Sequence, residues 1–214
     1  MFGLGILHGL GMDHVMAITT LVRRGGSRAE AAWTGIKFGL GHMGVLGLAA
    51  AGGLLLRFTI PARFELAMER LGGMLLVALG VWVLLGLRGR NWVIHSHPHE
   101  HDPAQSVHTH VHVHRHGLEE HRHSHLAWSL GAVFALSGVR SLLVMVPVVL
   151  APRFVVALVY ILLFGLGIVV SMSLYGWMVA HLFSLASKDR FLDRLAGALT
   201  GVASLAMGGY WIFA

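Results

Sequence analysis

Long apolar runs separated by short charged segments dominate this chain. A membrane-spanning helix needs roughly 20 mostly apolar residues, and six runs approach or exceed that length. The predicted spans are residues 1–22, 38–56, 71–87, 126–150, 154–184 and 195–214. The pattern therefore predicts an all-α membrane protein with six transmembrane helices.

Lysine and arginine are unevenly distributed over the predicted loops. Eleven lie in odd-numbered loops and four in even-numbered loops. Positive charge concentrates on the cytoplasmic side of multi-pass proteins. We therefore expect a multi-pass protein of the cytoplasmic membrane, with both termini outside and the long third loop in the cytoplasm.

The two halves of the chain resemble each other at an offset of 126 residues. Residues 38–41, Phe-Gly-Leu-Gly, recur as residues 164–167. Two blocks of three spans must cross the membrane in opposite orientations, and inverted repeats recur in secondary transporters. We predict two inverted three-helix repeats, residues 1–88 and 126–214, joined by a His-rich flexible cytoplasmic loop, residues 89–125. The alternative is chance recurrence of a Gly- and Leu-rich motif.

Composition supports the membrane assignment and narrows the chemistry. The chain is 56% hydrophobic and 12% charged, whereas soluble domains carry about 25% charge. It has no cysteine, so disulfides and thiolate ligands are excluded. A formal charge of +6 could indicate nucleic acid, but the basic residues lie between apolar runs, where they set topology. We expect no nucleic-acid partner, and the chain has no nucleotide-binding Gly-x4-Gly-Lys-Ser/Thr motif.

Four ionisable residues lie within the first two spans, namely His8, Asp13, His14 and His42. Such groups are costly in hydrocarbon and indicate function, and imidazole with carboxylate suits borderline divalent ions. On an unbroken helix, His8 would point away from Asp13 and His14, because faces repeat at three, four and seven residues. Gly9 and Gly11 therefore predict a helix break that brings His8 to the other two. The alternative is ordinary packed or hydrogen-bonded histidines.

Arg140 interrupts the fourth span at the position that the 126-residue offset assigns to His14. An unpaired buried charge is costly, so we hypothesise that Arg140 pairs with Asp13 when metal is absent and takes part in coupling. The alternative is that its long side chain reaches the membrane interface.

The third loop holds twelve of the sixteen histidines: His95, His97, His99, His101, His108, His110, His112, His114, His116, His121, His123 and His125. Two runs alternate strictly, and alternate residues of an extended chain share a face. This composition predicts an auxiliary, low-affinity, multi-site metal loop. The alternative is a solvated linker that becomes cationic below about pH 6.5.

The segment His8-x4-Asp13-His14 and residues 40–45, Leu-Gly-His-Met-Gly-Val, resemble the first two signatures of the nickel/cobalt transporter (NiCoT) family. The resemblance implies movement of Ni²⁺ or Co²⁺ across the cytoplasmic membrane, with His8, Asp13, His14 and His42 selecting the metal. That family usually has eight spans and acidic residues in its later signatures. With six spans and no acid in residues 165–171, this chain is similar to compact six-span relatives of the urease-accessory type.

The sequence thus predicts a secondary transporter or permease for a divalent transition metal, Ni²⁺ or Co²⁺ with Zn²⁺ as a further option, and no enzyme activity or cofactor. One alternative is a membrane metal-binding chaperone or sensor that delivers metal to a partner. The other is a membrane metalloenzyme, which needs more spanning histidines, usually arranged for two metals. The expected partners are the lipid bilayer, the ion, and a metallochaperone or urease-type maturation proteins.

Overall fold

The computed structural model describes residues 1–23, 27–56, 61–87, 92–99, 108–115, 124–137 and 146–213. Within these residues the chain forms helices α1 (Phe2–Gly9), α2 (Met12–Val22), α3 (Arg28–Leu56), α4 (Ala62–Leu87), α5 (Ser124–Ser137), α6 (Val146–Val149), α7 (Phe154–Ala186) and α8 (Arg190–Phe213), and strands β1 (Trp92–His99) and β2 (His108–Arg115).

Three of these helices, α4, α7 and α8, are long and apolar enough to cross a membrane, and a fourth crossing results if α1 and α2 count as one bent span. The helical, apolar character expected from the sequence is present. The predicted second span lies within α3, which has 29 residues. The predicted fourth span is not one described helix, because α5 ends at Ser137, α6 begins at Val146 and residues 138–145 lie outside the description.

Several charged segments that the sequence predicted as loops are helical. Helix α3 begins ten residues before the predicted second span, α4 nine residues before the third, and α8 five before the sixth. Local capping explains two of these starts. The Ser27 and Glu30 side chains each accept a hydrogen bond from the other's backbone N–H at the start of α3, and the Asp189 carboxylate accepts hydrogen bonds from the first turn of α8.

The long helices pack in antiparallel pairs. Along α3 and α7, Gly35 lies against Met172 and Gly47 against Ile161, so residue numbers rise in one helix as they fall in the other. Helices α4 and α8 pair in the same way through small residues. Helix α5 packs on α3, and α1 packs on α7. The core lies along these contacts, with fully buried Phe38, Phe134 and Phe164 at its centre.

The packing repeats at the 126-residue offset found in the sequence. Glycines approach backbone carbonyls of the facing helix so closely that a Cβ atom would overlap them. The equivalent pairs are Gly5 to Phe164 and Gly131 to Phe38, then Gly167 to Phe2 and Gly41 to Trp128. Ring contacts repeat too, since His8 lies 5.4 Å from Phe164 and Phe134 lies 5.9 Å from Phe38, centroid to centroid. The shared motif therefore coincides with equivalent contacts in the two halves.

Strands β1 and β2 form an antiparallel two-stranded sheet inside residues 89–125. Its register sets three histidines of β1 opposite three of β2: His95 with His112, His97 with His110 and His99 with His108. The alternating histidine positions of β1 are thus paired with the alternating histidine positions of β2. That residues 89–125 are a flexible loop between two domains stays a prediction.

Candidate metal centre

The first predicted span breaks where the sequence placed the break. Helix α1 ends at Gly9, α2 begins at Met12, and the two are bent by 61°. The reason differs from the expected one. Gly11 has φ −56° and ψ 145°, an extended conformation that any residue can adopt. A Cβ atom there would instead lie 2.8 Å from Asp13 Oδ1 and 3.0 Å from His14 Nδ1. Gly11 is needed for space rather than for backbone freedom.

The break brings three histidines from three helical segments together. His8 Nε2 lies 3.0 Å from His42 Nε2, and His14 Nε2 lies 3.3 Å from His42 Nδ1. One ring nitrogen from each of the three residues lies within 4.8 Å of the others. His14 is 2% exposed and His42 fully buried, while His8 is half-buried. The cluster therefore sits inside the bundle, with His8 on its more open side.

These distances suit a common ion. Nitrogens bound to one divalent metal at about 2.0–2.1 Å lie about 2.9–3.4 Å apart when adjacent in tetrahedral or octahedral geometry. The two contacts to His42 fall in or close to that range. They use different nitrogens of the His42 ring, however, so only one of them can be preserved around a single ion. A three-nitrogen site around one ion would therefore require at least one of the three imidazoles to change its orientation.

Asp13 lies beside this trio rather than within it. Its Oδ1 is 3.0 Å from His14 Nδ1, on the far side of the imidazole from Nε2. The two atoms are close without a well-directed hydrogen bond, and His14 Nδ1 has no other partner among the described residues. A carboxylate behind a ligating imidazole fixes the tautomer and the orientation of the ring. The structure therefore separates Asp13 from the three histidines with which the sequence grouped it.

Two phenylalanines that the sequence gave no role in the site enclose it. The Phe38 ring stacks parallel to His42 at 6.5 Å and meets His14 edge-on at 6.0 Å, while Phe164 packs against His8. Apolar walls exclude water and strengthen electrostatic interactions inside a site. The sequence contained a signal for both phenylalanines, because each is the first residue of the repeated Phe-Gly-Leu-Gly motif.

The remaining predicted residues lie apart or outside the description. Arg140 is outside the described residues, as are His101, His116, His121 and His123. His125 is exposed near the start of α5. His181, near the end of α7, stacks on Trp177 at 6.0 Å and does not belong to the three-histidine cluster.

Because Asp13 lies behind His14, we expect replacement of Asp13 to weaken metal binding less than replacement of His14 does. If the cluster binds a divalent metal such as Ni²⁺, Asp13→Asn should weaken that binding by roughly 10–100-fold, the usual cost of losing an outer partner of a metal-bound histidine, while His14→Ala should cost more. Isothermal titration of both purified variants, in a chain whose twelve loop histidines are replaced by serine, measures the difference. Equal losses in the two variants would make Asp13 a direct ligand and contradict its position behind His14.

Comparison with known proteins finds a relative that matches this chain over nearly its whole length. The protein described as "Urease accessory protein UreH" from Bacillus sp. (strain TB-90) is 25% identical over 212 residues, covering 99% of this chain and 88% of that protein. No protein-family model matches the chain, and no solved structure matches it. The match supports the urease-accessory-type resemblance and does not single out the NiCoT family. Its name is that of an accessory protein rather than an enzyme.

Proposed function

We propose that this chain is a secondary transporter that carries a divalent transition metal, Ni²⁺ or Co²⁺, across the cytoplasmic membrane. The observation that carries the proposal is the buried cluster of His8, His14 and His42 beside the break between α1 and α2. Imidazole is the commonest metal-binding side chain. The convergence of three imidazoles within apolar helices is explained if they bind a dehydrated metal ion.

The helix break favours transport over storage. Discontinuous helices near the midplane are a recurring way for transporters to present ligands to an ion. His8 is half-buried on one side of the break, whereas His14 and His42 are enclosed. Rotation at the break would move His8 relative to the other two, which would open the site without dismantling the bundle.

The repeated contacts favour alternating access. We infer that the chain consists of two inverted three-helix repeats, because equivalent helices α3 and α7 are antiparallel and their glycine contacts recur at the 126-residue offset. Rocking of one repeat against the other exposes a fixed central site first to one side and then to the other. Both termini outside and residues 89–125 in the cytoplasm complete the proposed topology.

Ni²⁺ or Co²⁺ as cargo rests on the resemblance of His8-x4-Asp13-His14 to the nickel/cobalt transporter signature, and the relative described as a urease accessory protein supports an accessory role for the chain. A metallochaperone or urease-type maturation protein is then the fitting recipient on the cytoplasmic side. The histidine positions that are paired across β1 and β2 would supply the auxiliary, low-affinity metal sites there.

Ion flux separates transport from the two other functions. Reconstituted in liposomes that enclose a metal-sensitive dye, the chain should admit Ni²⁺ under an ion gradient, and His14→Ala should reduce flux to that of protein-free liposomes. His181→Ala, remote from the cluster, is the matched control and should retain flux. Tight binding without flux would favour the membrane chaperone or sensor, and turnover of an organic substrate by the metal-loaded chain would favour the metalloenzyme.

A further inference from the structure

A second group of buried polar residues follows the cluster along α2. Thr19 and Thr20 lie five and six residues after His14, about 8–9 Å farther along the helix, and both are buried. The Thr19 hydroxyl lies 2.7 Å from the Tyr175 hydroxyl of α7. Thr20 Oγ1 lies 3.4 Å from Oγ of Ser204 on α8. Hydroxyls from three helices therefore line the junction of α2, α7 and α8.

Hydrogen bonds to the backbone of their own helices do not satisfy all of these hydroxyls. Thr19 also donates to the Val15 carbonyl one turn earlier, as helical threonines commonly do. Thr20 and Ser204 have only each other among the described contacts, at a separation longer than the usual 2.5–3.0 Å for two hydroxyls. Burying a weakly bonded hydroxyl costs free energy, so apolar residues would pack this junction better.

Arg23 closes the same junction one turn beyond Thr20. Its Nη2 donates to the Asp193 carbonyl at 2.9 Å and lies 3.3 Å from Asp193 Oδ1, and its guanidinium lies 5.3 Å from the centre of the Phe183 ring. It covers Gly197 so closely that a Cβ atom there would overlap it. Arg23 thus contacts both α7 and α8 from the end of α2.

The described hydrogen bonds of the Arg23 side chain come from one terminal nitrogen, Nη2. The side chain is 12% exposed, whereas its partner Asp193 is 44% exposed. Nη1 is buried and has no hydrogen-bond partner in the part of the chain that the structure describes. A guanidinium has five N–H donors, so this cation is poorly satisfied for its depth. Leaving the junction would therefore cost Arg23 less than leaving a fully bonded site.

We propose that the junction of α2, α7 and α8 is the path between the histidine cluster and this end of the bundle, and that Arg23 is its gate. Hydroxyl oxygens are weak ligands, which lets an ion pass without being trapped. The guanidinium both fills the exit and repels a divalent cation. When Arg23 swings toward solvent, the path opens beside Asp193. This proposal rests on the proposed transport function and names the route it uses.

The chain contains no cysteine, so single cysteines can report access to the junction. Open membrane fragments that contain the Ser204→Cys variant, with both faces exposed, are treated with a small charged thiol reagent. The cysteine should react slowly with Arg23 present and at least tenfold faster with Arg23→Ala. Asp193→Asn keeps the backbone contact and removes the carboxylate, so it should give an intermediate rate.

Val202→Cys is the matched control, because Val202 lies on the same helix two residues from Ser204 and is 57% exposed on its outer surface. It should react slowly in all three backgrounds, since lipid excludes the charged reagent. Equal rates for Ser204→Cys with and without Arg23 would overturn the gate. Acceleration of Val202→Cys as well would mean that the bundle has loosened, and would also count against it.

Labelling does not depend on transport, so the two proposals fail separately. Flux in the wild type without a change in labelling would remove the gate and leave transport standing. Accelerated labelling without wild-type flux would leave a gated polar path and remove the transport function. Thiol labelling of Thr20→Cys from the other wall of the junction should reproduce the Ser204 result, which guards against a defect peculiar to one variant.

Discussion

Replacing His42 by alanine should reduce Ni²⁺ affinity by roughly 100-fold or more, beyond the 10–100-fold typical of outer partners of metal-bound histidines. His42 is fully buried, and its ring nitrogens lie 3.0 Å from His8 Nε2 and 3.3 Å from His14 Nε2. Its loss would leave only two of the three imidazoles of the cluster. Isothermal titration measures the change.

The loop histidines must be silent in that experiment. A background in which all twelve are replaced by serine leaves the buried cluster as the site to be titrated. His181→Ala in the same background is the control and should bind as the parent does. A loss of less than threefold in His42→Ala would show that His42 is a packed histidine and that the ion, if it binds, binds elsewhere.

Replacing Gly131 by leucine should unfold or strongly loosen the bundle. A Cβ atom at Gly131 would overlap the Phe38 carbonyl oxygen, so α5 and α3 would have to separate. Forced overpacking of a core typically costs about 1–3 kcal/mol and occasionally more, and the displaced Phe38 packs against His14 and His42. Thermal unfolding in detergent should therefore shift downward, with weakened Ni²⁺ binding.

Two further leucine substitutions show whether a downward shift in thermal unfolding reflects the overlap at Gly131. Gly44→Leu, in α3 itself, is the control, because nothing lies within 4 Å of a Cβ atom there. Gly5→Leu creates the same overlap with the Phe164 carbonyl in the other half and should destabilise to a similar extent. A harmless Gly131→Leu would contradict the close α3–α5 contact, and a harmless Gly5→Leu would contradict the equivalence of the halves.

Much of the helical organisation was predictable because apolar length alone specifies a spanning helix. Among the described helices, α4, α7 and α8 are long and apolar enough to be three of the predicted spans, and α1 with α2 is a fourth if the bent pair counts as one. The predicted second span lies within α3 and the predicted fourth span overlaps α5, and six spans in all stay a prediction. Helix starts were less predictable. Residues such as Arg28 and Arg190 look like loop residues by charge, but side-chain caps outside the apolar run extend α3 and α8 beyond it.

The sequence predicted which residues form the candidate site better than it predicted how these residues are arranged. His8, Asp13, His14 and His42 stand out because ionisable groups are rare in apolar spans, and the glycines marked the break. Sequence spacing does not give the direction of a side chain beyond a break, so it could not tell that Asp13 lies behind His14. Nor could it bring Arg23 and Asp193 together, since 170 residues separate them.

The central claim is that His8, His14 and His42 together bind one divalent ion inside the bundle. X-ray absorption at the nickel edge, on the chain lacking loop histidines and loaded with one equivalent of Ni²⁺, counts the imidazoles directly. The result expected is three imidazole nitrogens at about 2.0–2.1 Å, falling to two in His8→Ala. A spectrum with one imidazole or none, unchanged in His8→Ala, would contradict the claim.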